Sequence, residues 1–112
     1  MERNELLDKF SEMKCKQMLL KLWLMATPGY VGSEIDFCMK YMDVQAKLDS
    51  VEEEMLELLQ ANETFFRGAD LEGYCQEYKI STNRQKEISK KILGREYAVE
   101  DLAELLAKKW RN

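Results

Sequence analysis

Acidic side chains spaced three or four residues apart are the residues of this sequence best suited to chemistry. The run EEEMLELL, residues 52 to 59, contains Glu53, Glu54 and Glu57, and a second pair, Glu100 and Glu104, lies near the end of the chain. On a helix, side chains three or four residues apart share one face. Carboxylates grouped in this way are ligands that magnesium accepts. Magnesium-assisted hydrolysis is therefore the first chemistry to consider.

Residues 53 to 57 resemble the E-E-x-x-E helix with which MazG-like nucleotide pyrophosphohydrolases hold magnesium. The resemblance implies a helical, magnesium-dependent nucleotide hydrolase. That family has a second helix with the pattern E-x-x-D, and Ala103 stands where its aspartate would lie. A simpler explanation is that a helix with apolar residues at positions 51, 55 and 58 carries soluble side chains between them. We therefore expect a solvated acidic face, and we predict no catalytic residue, no metal site and no cofactor.

The residue types that the sequence lacks narrow the function further. It contains no histidine, which excludes His-dependent triads and His-ligated zinc. Its five glycines are scattered, and no G-x-x-x-x-G-K-[ST] phosphate loop is present. Most common enzyme mechanisms are thereby removed.

Charge is distributed unevenly along the chain, although the net charge is only -4. Residues 31 to 66 are strongly acidic, whereas residues 79 to 95 are basic. The segment EYKISTNRQKEISKKIL resembles a helix-turn-helix, which implies nucleic-acid contacts from four bases: Arg84, Lys86, Lys90 and Lys91. Lys79 replaces the turn glycine of that motif, and Gln85 stands where an apolar anchor is expected. We favour the alternative that the basic helix packs near the acidic one.

Two long helical segments meet at the stretch MATPGYVGSE, residues 25 to 34. Apolar residues at three- and four-residue steps predict a first helix over 2–26, whose last turns are apolar on nearly every side. Pro28 disfavours helical geometry at the residue before it, and Gly29 suits a turn. Ser33 is a suitable N-cap for a second helix over 33–62. The break is short enough for an antiparallel pair, so the sequence predicts a helical hairpin.

The second helix carries a two-position heptad pattern for nearly three heptads. Six residues make up this pattern: Tyr41, Val44, Leu48, Val51, Met55 and Leu58. A helix of about 30 residues is about 45 Å long, which is more than a compact core of this size requires. We therefore expect these residues to form a dimer or partner interface, and the protein to be a homodimer. Trp23 and Tyr30, which flank the turn, are candidate anchors for a partner that docks at this end.

Three shorter helices are predicted for the rest of the chain, over 70–80, 82–93 and 98–110. Gly94 is placed to end the second of them, and a single helix running from near 70 to 93 is an alternative. The last helix has acids in its first turn and bases in its last, in accordance with the helix dipole. The sequence therefore predicts one all-α domain over residues 1–112, a bundle of four or five helices built on the long antiparallel hairpin.

The composition is typical of a folded, helix-rich protein, with 46% hydrophobic and 34% charged residues. The most apolar run, MLLKLWLMA, is far shorter than the ~20 residues of a membrane span. The first ten residues lack the order of a signal peptide. Cys15, Cys38 and Cys75 are odd in number and form no C-x-x-C pair, which favours reduced thiols in a cytosolic protein. We expect a cytoplasmic protein without membrane contact.

These observations together favour a small non-enzymatic protein that binds another protein through a helical face. Regulators, adaptors and inhibitors, including those encoded by phages or mobile elements, fit this description. A nucleic-acid-binding regulator that uses residues 79–95 is the first alternative. A magnesium-dependent nucleotide hydrolase that uses helix carboxylates is the second.

Overall fold

The computed structural model describes residues 3–28, 33–68 and 80–111, and all regular structure within these ranges is helical. It contains five helices: α1 (Arg3–Ala26), α2 (Glu34–Ala61), α3 (Glu63–Arg67), α4 (Thr82–Leu93) and α5 (Val99–Arg111). Helices hold 87% of the described residues, which confirms the all-α class. Four of them begin and end within one residue of the predicted limits. The short helix α3 was not predicted. Of the helix predicted over 70–80, positions 70–79 lie outside the described residues, and Ile80 is not helical.

α1 is the central helix, because it packs against α2, α4 and α5. Leu20 is fully buried and Trp23 is 4% exposed, in agreement with the broad apolar surface of the end of this helix. The same buried cluster includes a residue from each neighbouring helix: Val44, Ile88 and Leu102. Each fully buried leucine contributes about 2 kcal/mol to the free energy of unfolding. Packing around α1 therefore organises the whole bundle.

α1 and α2 form the predicted antiparallel hairpin. α3, which directly follows α2, lies against the first half of α1, where the ring centroids of Phe66 and Phe10 are 5.7 Å apart. α2 has 28 residues, so it is about 42 Å long. The long dimension of the molecule is 47 Å, against 24 and 23 Å across. α2 thus runs nearly the full length of the protein.

The corner of the hairpin combines a left-handed residue with a capped helix start. The N–H of Thr27 donates to the carbonyl of Trp23 over 2.7 Å, and Thr27 has φ +40°. This left-handed conformation ends α1 but is strained for a β-branched residue. Ser33 then caps α2, because its hydroxyl accepts from the N–H of Asp36 over 3.1 Å. The predicted turn glycine, Gly29, lies outside the described residues.

α4 ends as predicted at Gly94, which has φ +80° and donates its N–H to the carbonyl of Lys90. The connection to α5 is fixed by Ser89, which is fully buried on α4. Its hydroxyl donates to the carbonyl of Arg95 over 2.6 Å and accepts from the N–H of Tyr97 over 3.0 Å. This serine therefore holds the loop against the helix that precedes it.

The start of α5 is capped from a distance. The N–H of Val99 donates to the side-chain oxygen of Gln85 on α4 over 2.9 Å. The side-chain nitrogen of Gln85 donates in turn to the carbonyl of Ile80 over 2.8 Å. The N–H of Ala98 donates to the carboxylate of Asp101. Gln85, which stands where a helix-turn-helix would have an apolar anchor, thus satisfies backbone groups before α4 and at the start of α5. This arrangement positions α4 and α5 as one unit.

Candidate protein-interaction surface

The predicted heptad pattern of α2 faces the interior of the chain. Five of its six residues are buried in the same cluster as the core residues of α1, and we call them the core seam: Val44, Leu48, Val51, Met55 and Leu58. Only Tyr41 is exposed, at 38%. The structure therefore assigns the core seam to the hairpin of a single chain, because α1 already covers it. A dimer or partner interface on α2 has to lie on another face.

The first three turns of α2 carry a second apolar series on the opposite side. Ile35, Met39 and Met42 are 73%, 65% and 71% exposed, and we call them the apolar stripe. An α-helix turns by about 100° per residue, so Val44 lies half a turn away from Ile35 around the helix axis. The apolar stripe therefore points away from the core. The exposed Cys38 lies beside it.

The face that carries the apolar stripe continues along α2 as an acidic surface. At alternating steps of four and three residues, six exposed residues follow one another, and we call them the outer face: Ile35, Met39, Met42, Ala46, Asp49 and Glu53. The series is a second heptad pattern, offset by half a turn from the core seam. Its character changes at Ala46 from apolar to carboxylate, and the next residue in the same register after Glu53, Leu56, is apolar again and 55% exposed.

The two basic residues of α2 are directed to one side of the outer face. Lys40 donates to the carbonyl of Leu93 over 3.1 Å, and Lys47 donates to the carbonyl of Ile92 over 2.9 Å. These carbonyls belong to the last turn of α4, where a positive charge is favourable. Lys47 also pairs with Asp43 at 3.0 Å. Both lysines therefore stabilise the packing of α4 on α2.

Two further apolar side chains are exposed at the hairpin end of the molecule. Lys109 of α5 donates to the carbonyl of Met25 over 3.1 Å and to the hydroxyl of Thr27, which brings the last turn of α5 to the end of α1. Met25 is 53% exposed and Trp110 is 78% exposed. α2 begins at this end, so Trp110, Met25 and the apolar stripe lie at the same end of the bundle.

Of the two predicted partner anchors, Trp23 is buried against the core and presents no anchor at the surface. Tyr30 lies outside the described residues. Trp110, which was not among the predicted anchors, is the exposed tryptophan at this end of the described structure. The sequence signal for the apolar stripe was the four- and three-residue spacing of Ile35, Met39 and Met42, but residues buried in a core have the same spacing.

The basic residues of α4 are only partly available to an anionic ligand. Arg84 is paired with Glu12 of α1 and, at 3.0 Å, with Glu87. Hydrogen bonds to these carboxylates raise the pKa of Arg84. Lys86 is half-buried, whereas Lys90 and Lys91 are exposed near the end of the helix. α4 contacts the acidic helix α2, near which it was predicted to pack. The ion pair that joins α4 to another helix, however, is the one between Arg84 and Glu12 of α1.

The helix carboxylates that suggested magnesium lie on the surface. Glu53, Glu54 and Glu57 are exposed on α2, and Glu100 and Glu104 are exposed on α5. Within residues 3–28, 33–68 and 80–111, no three Cys, Asp or Glu side chains approach closely enough to hold a metal ion. The structure thus does not bring the two carboxylate pairs into one site.

Cys15 is the buried thiol of the core. Its pKa is raised from 9.0 to about 11, chiefly because burial disfavours the thiolate and secondarily because Glu12 is near. A thiol with so high a pKa is a poor nucleophile at neutral pH. Its position in the buried cluster is that of a small apolar residue.

No protein-family model, curated protein or solved structure matches this chain. None of the helices in the described part of the chain combines the length and apolar character required to cross a bilayer.

Proposed function

We propose that this protein is non-enzymatic and acts by binding another protein through the outer face of α2. The observation that supports this most strongly is the apolar stripe, whose three residues are 65% to 73% exposed on a helix with a fully covered core seam. Contiguous apolar side chains on the surface of a small protein are typical of interaction sites. Methionine, which forms two of the three, adapts its shape to a partner.

The proposed role is that of a small cytoplasmic regulator, adaptor or inhibitor. Cys15 and Cys38 are free thiols in the structure, as is common for proteins in a reducing compartment. A homodimer through α2 stays a prediction, and its interface would have to be a surface other than the core seam. Sedimentation at micromolar concentrations tests it, and a monomer would contradict it.

The experiment that tests the proposed function is site-specific photo-crosslinking in a lysate of the source organism. A photoreactive amino acid replaces Met39, on the outer face, or Leu105, which is 36% exposed on α5. We expect one discrete protein to be crosslinked from position 39 and not from position 105. Adding Ile35→Gln and Met42→Gln should abolish the crosslink. Equal labelling from both positions would contradict the proposal.

Nucleic-acid binding is the second candidate, and the exposure of Lys90 and Lys91 is the observation that favours it. Binding of duplex DNA across a salt series tests it, because phosphate contacts weaken steeply as salt rises. We expect Lys90→Gln with Lys91→Gln to abolish any such binding. Absence of binding at low salt would remove this candidate.

A further inference from the structure

The outer face of α2 consists of two chemically different halves that follow one another along the helix. Ile35, Met39 and Met42 form the apolar half, and Asp49 and Glu53 form the acidic half in the same heptad register. A second helix that lies along this face would meet apolar side chains for about three turns and carboxylates for about the next two. The face therefore specifies a pattern in its occupant and does not merely offer apolar area.

The residues that border the apolar half of the outer face are acidic as well. Glu34 and Asp36 flank its apolar half, and no base in the described ranges lies within ion-pair distance of either. Lys40 and Lys47 are bound to the last turn of α4, on one margin of the face. The acids of the outer face thus have no cation of their own helix opposite them.

A second copy of this chain is a poor occupant in either direction. In an antiparallel pair of outer faces that overlap over their full length, the apolar half of one copy would lie against Asp49 and Glu53 of the other, which would bury unpaired carboxylates. In a parallel pair, the acidic halves would face each other with like charges. Over its full length, the outer face is therefore not complementary to itself.

We propose that the outer face binds an amphipathic helix of another protein, apolar over about three turns and basic over about the next two. Apolar contacts with Ile35, Met39 and Met42 would supply affinity, and ion pairs with Asp49 and Glu53 would fix the register of the bound helix. This inference rests on the proposed function, and it adds the chemistry of the partner.

The test uses synthetic helical peptides of about 20 residues, long enough to cover five turns. The basic peptide has leucine at the seam positions of three turns and lysine at those of the next two. The acidic peptide replaces each of these lysines with glutamate. Fluorescence anisotropy of labelled peptides measures both dissociation constants at low and at high salt. We expect the basic peptide to bind about tenfold or more tightly than the acidic one at low salt, with a smaller difference at high salt.

Two pairs of substitutions in the protein locate the binding site. Met39→Gln with Met42→Gln should raise the dissociation constant of the basic peptide by about tenfold or more. Its matched control is Met18→Gln with Leu105→Gln, which changes exposed apolar residues of α1 and α5 and should leave binding unchanged.

The second pair tests the acidic half of the face. Asp49→Asn with Glu53→Gln should weaken binding of the basic peptide and strengthen binding of the acidic peptide. The control, Glu96→Gln with Glu104→Gln, removes two exposed acids elsewhere. It should change each of the two affinities only slightly. The bound basic peptide should also slow alkylation of Cys38, which lies beside the apolar stripe.

The outcomes distinguish the partner chemistry from the proposed function. Equal affinity for both peptides, or no effect of Asp49→Asn with Glu53→Gln, would overturn the basic-helix proposal. A dimer that Met39→Gln with Met42→Gln dissociates would overturn it too, in favour of a second copy. If crosslinking from position 39 still captures a discrete protein, the proposed function stands and only the partner chemistry fails.

Discussion

Replacing Ser89 with alanine tests how the C-terminal unit is held together. Ser89 is fully buried on α4, and its hydroxyl bridges the carbonyl of Arg95 and the N–H of Tyr97. Ser89→Ala removes both hydrogen bonds without adding volume to the core. We expect the loop between α4 and α5 to lose its attachment and the whole chain to be less stable.

The magnitude follows from the two hydrogen bonds and the helix propensity. Each bond contributes about 1 kcal/mol net to the free energy of unfolding, so their loss costs about 2 kcal/mol. Alanine returns about 0.5 kcal/mol because it is the better helix former. The expected loss is therefore about 1.5 kcal/mol. For a chain of 112 residues, this corresponds to a fall in Tm of about 6 °C.

The assay is urea denaturation followed by far-UV circular dichroism, together with a thermal melt. Ser50→Ala is the matched control, because Ser50 is an exposed serine within α2 and its replacement reports helix propensity alone. Hydrogen exchange at the amide of Tyr97 should accelerate in Ser89→Ala and not in the control. If both variants show the same free energy of unfolding, the bridge contributes nothing and the reasoning is refuted.

Three further predictions concern the hairpin corner, the core and the apolar stripe. Thr27→Asn should raise the free energy of unfolding by about 1 kcal/mol, because asparagine tolerates the left-handed conformation and keeps a side-chain oxygen that can accept from Lys109, and a lower Tm would contradict this. Burial raises the pKa of Cys15 from 9.0 to about 11, so the folded state holds this proton more tightly than the unfolded state. Its contribution to stability should be complete below pH 9 and be lost as the pH rises toward 11; denaturation of Cys15→Ala should lack this part of the pH dependence. Ile35→Gln with Met39→Gln and Met42→Gln should change stability by less than about 0.5 kcal/mol in urea, since the apolar stripe lies at the surface.

The hairpin was predictable because its signals are local. Pro28 and Ser33 end one helix and begin the next within a few residues, and apolar spacing defines both helices around them. Gly94 identified the end of α4 for the same reason, since a left-handed cap favours glycine. The capping of α5 was not predictable in this way. Gln85 and Val99 are 14 residues apart, and their contact depends on how α4 and α5 pack.

The covering of the heptad pattern was not predictable from its spacing. A series such as Val44, Leu48 and Val51 requires an apolar surface to cover it. That surface can belong to another helix of the same chain or to a helix of a second copy, and the spacing does not distinguish the two. The length of α2 favoured a second copy, yet the molecule is 47 Å long and α2 fits within that dimension. α1 provides most of the cover because its own apolar surface is broad.

The charge of the outer face depends on packing as much as on sequence. α2 contains Lys40 and Lys47, and a count of charges along the helix sets them against its acids. In the fold, both ammonium groups are bound to carbonyls at the end of α4, where they offset the negative end of that helix. Among the residues that the structure describes, no base therefore forms an ion pair with Asp49 or Glu53. The charge that α2 presents at its surface thus depends on an internal contact with α4, which the sequence of α2 does not reveal.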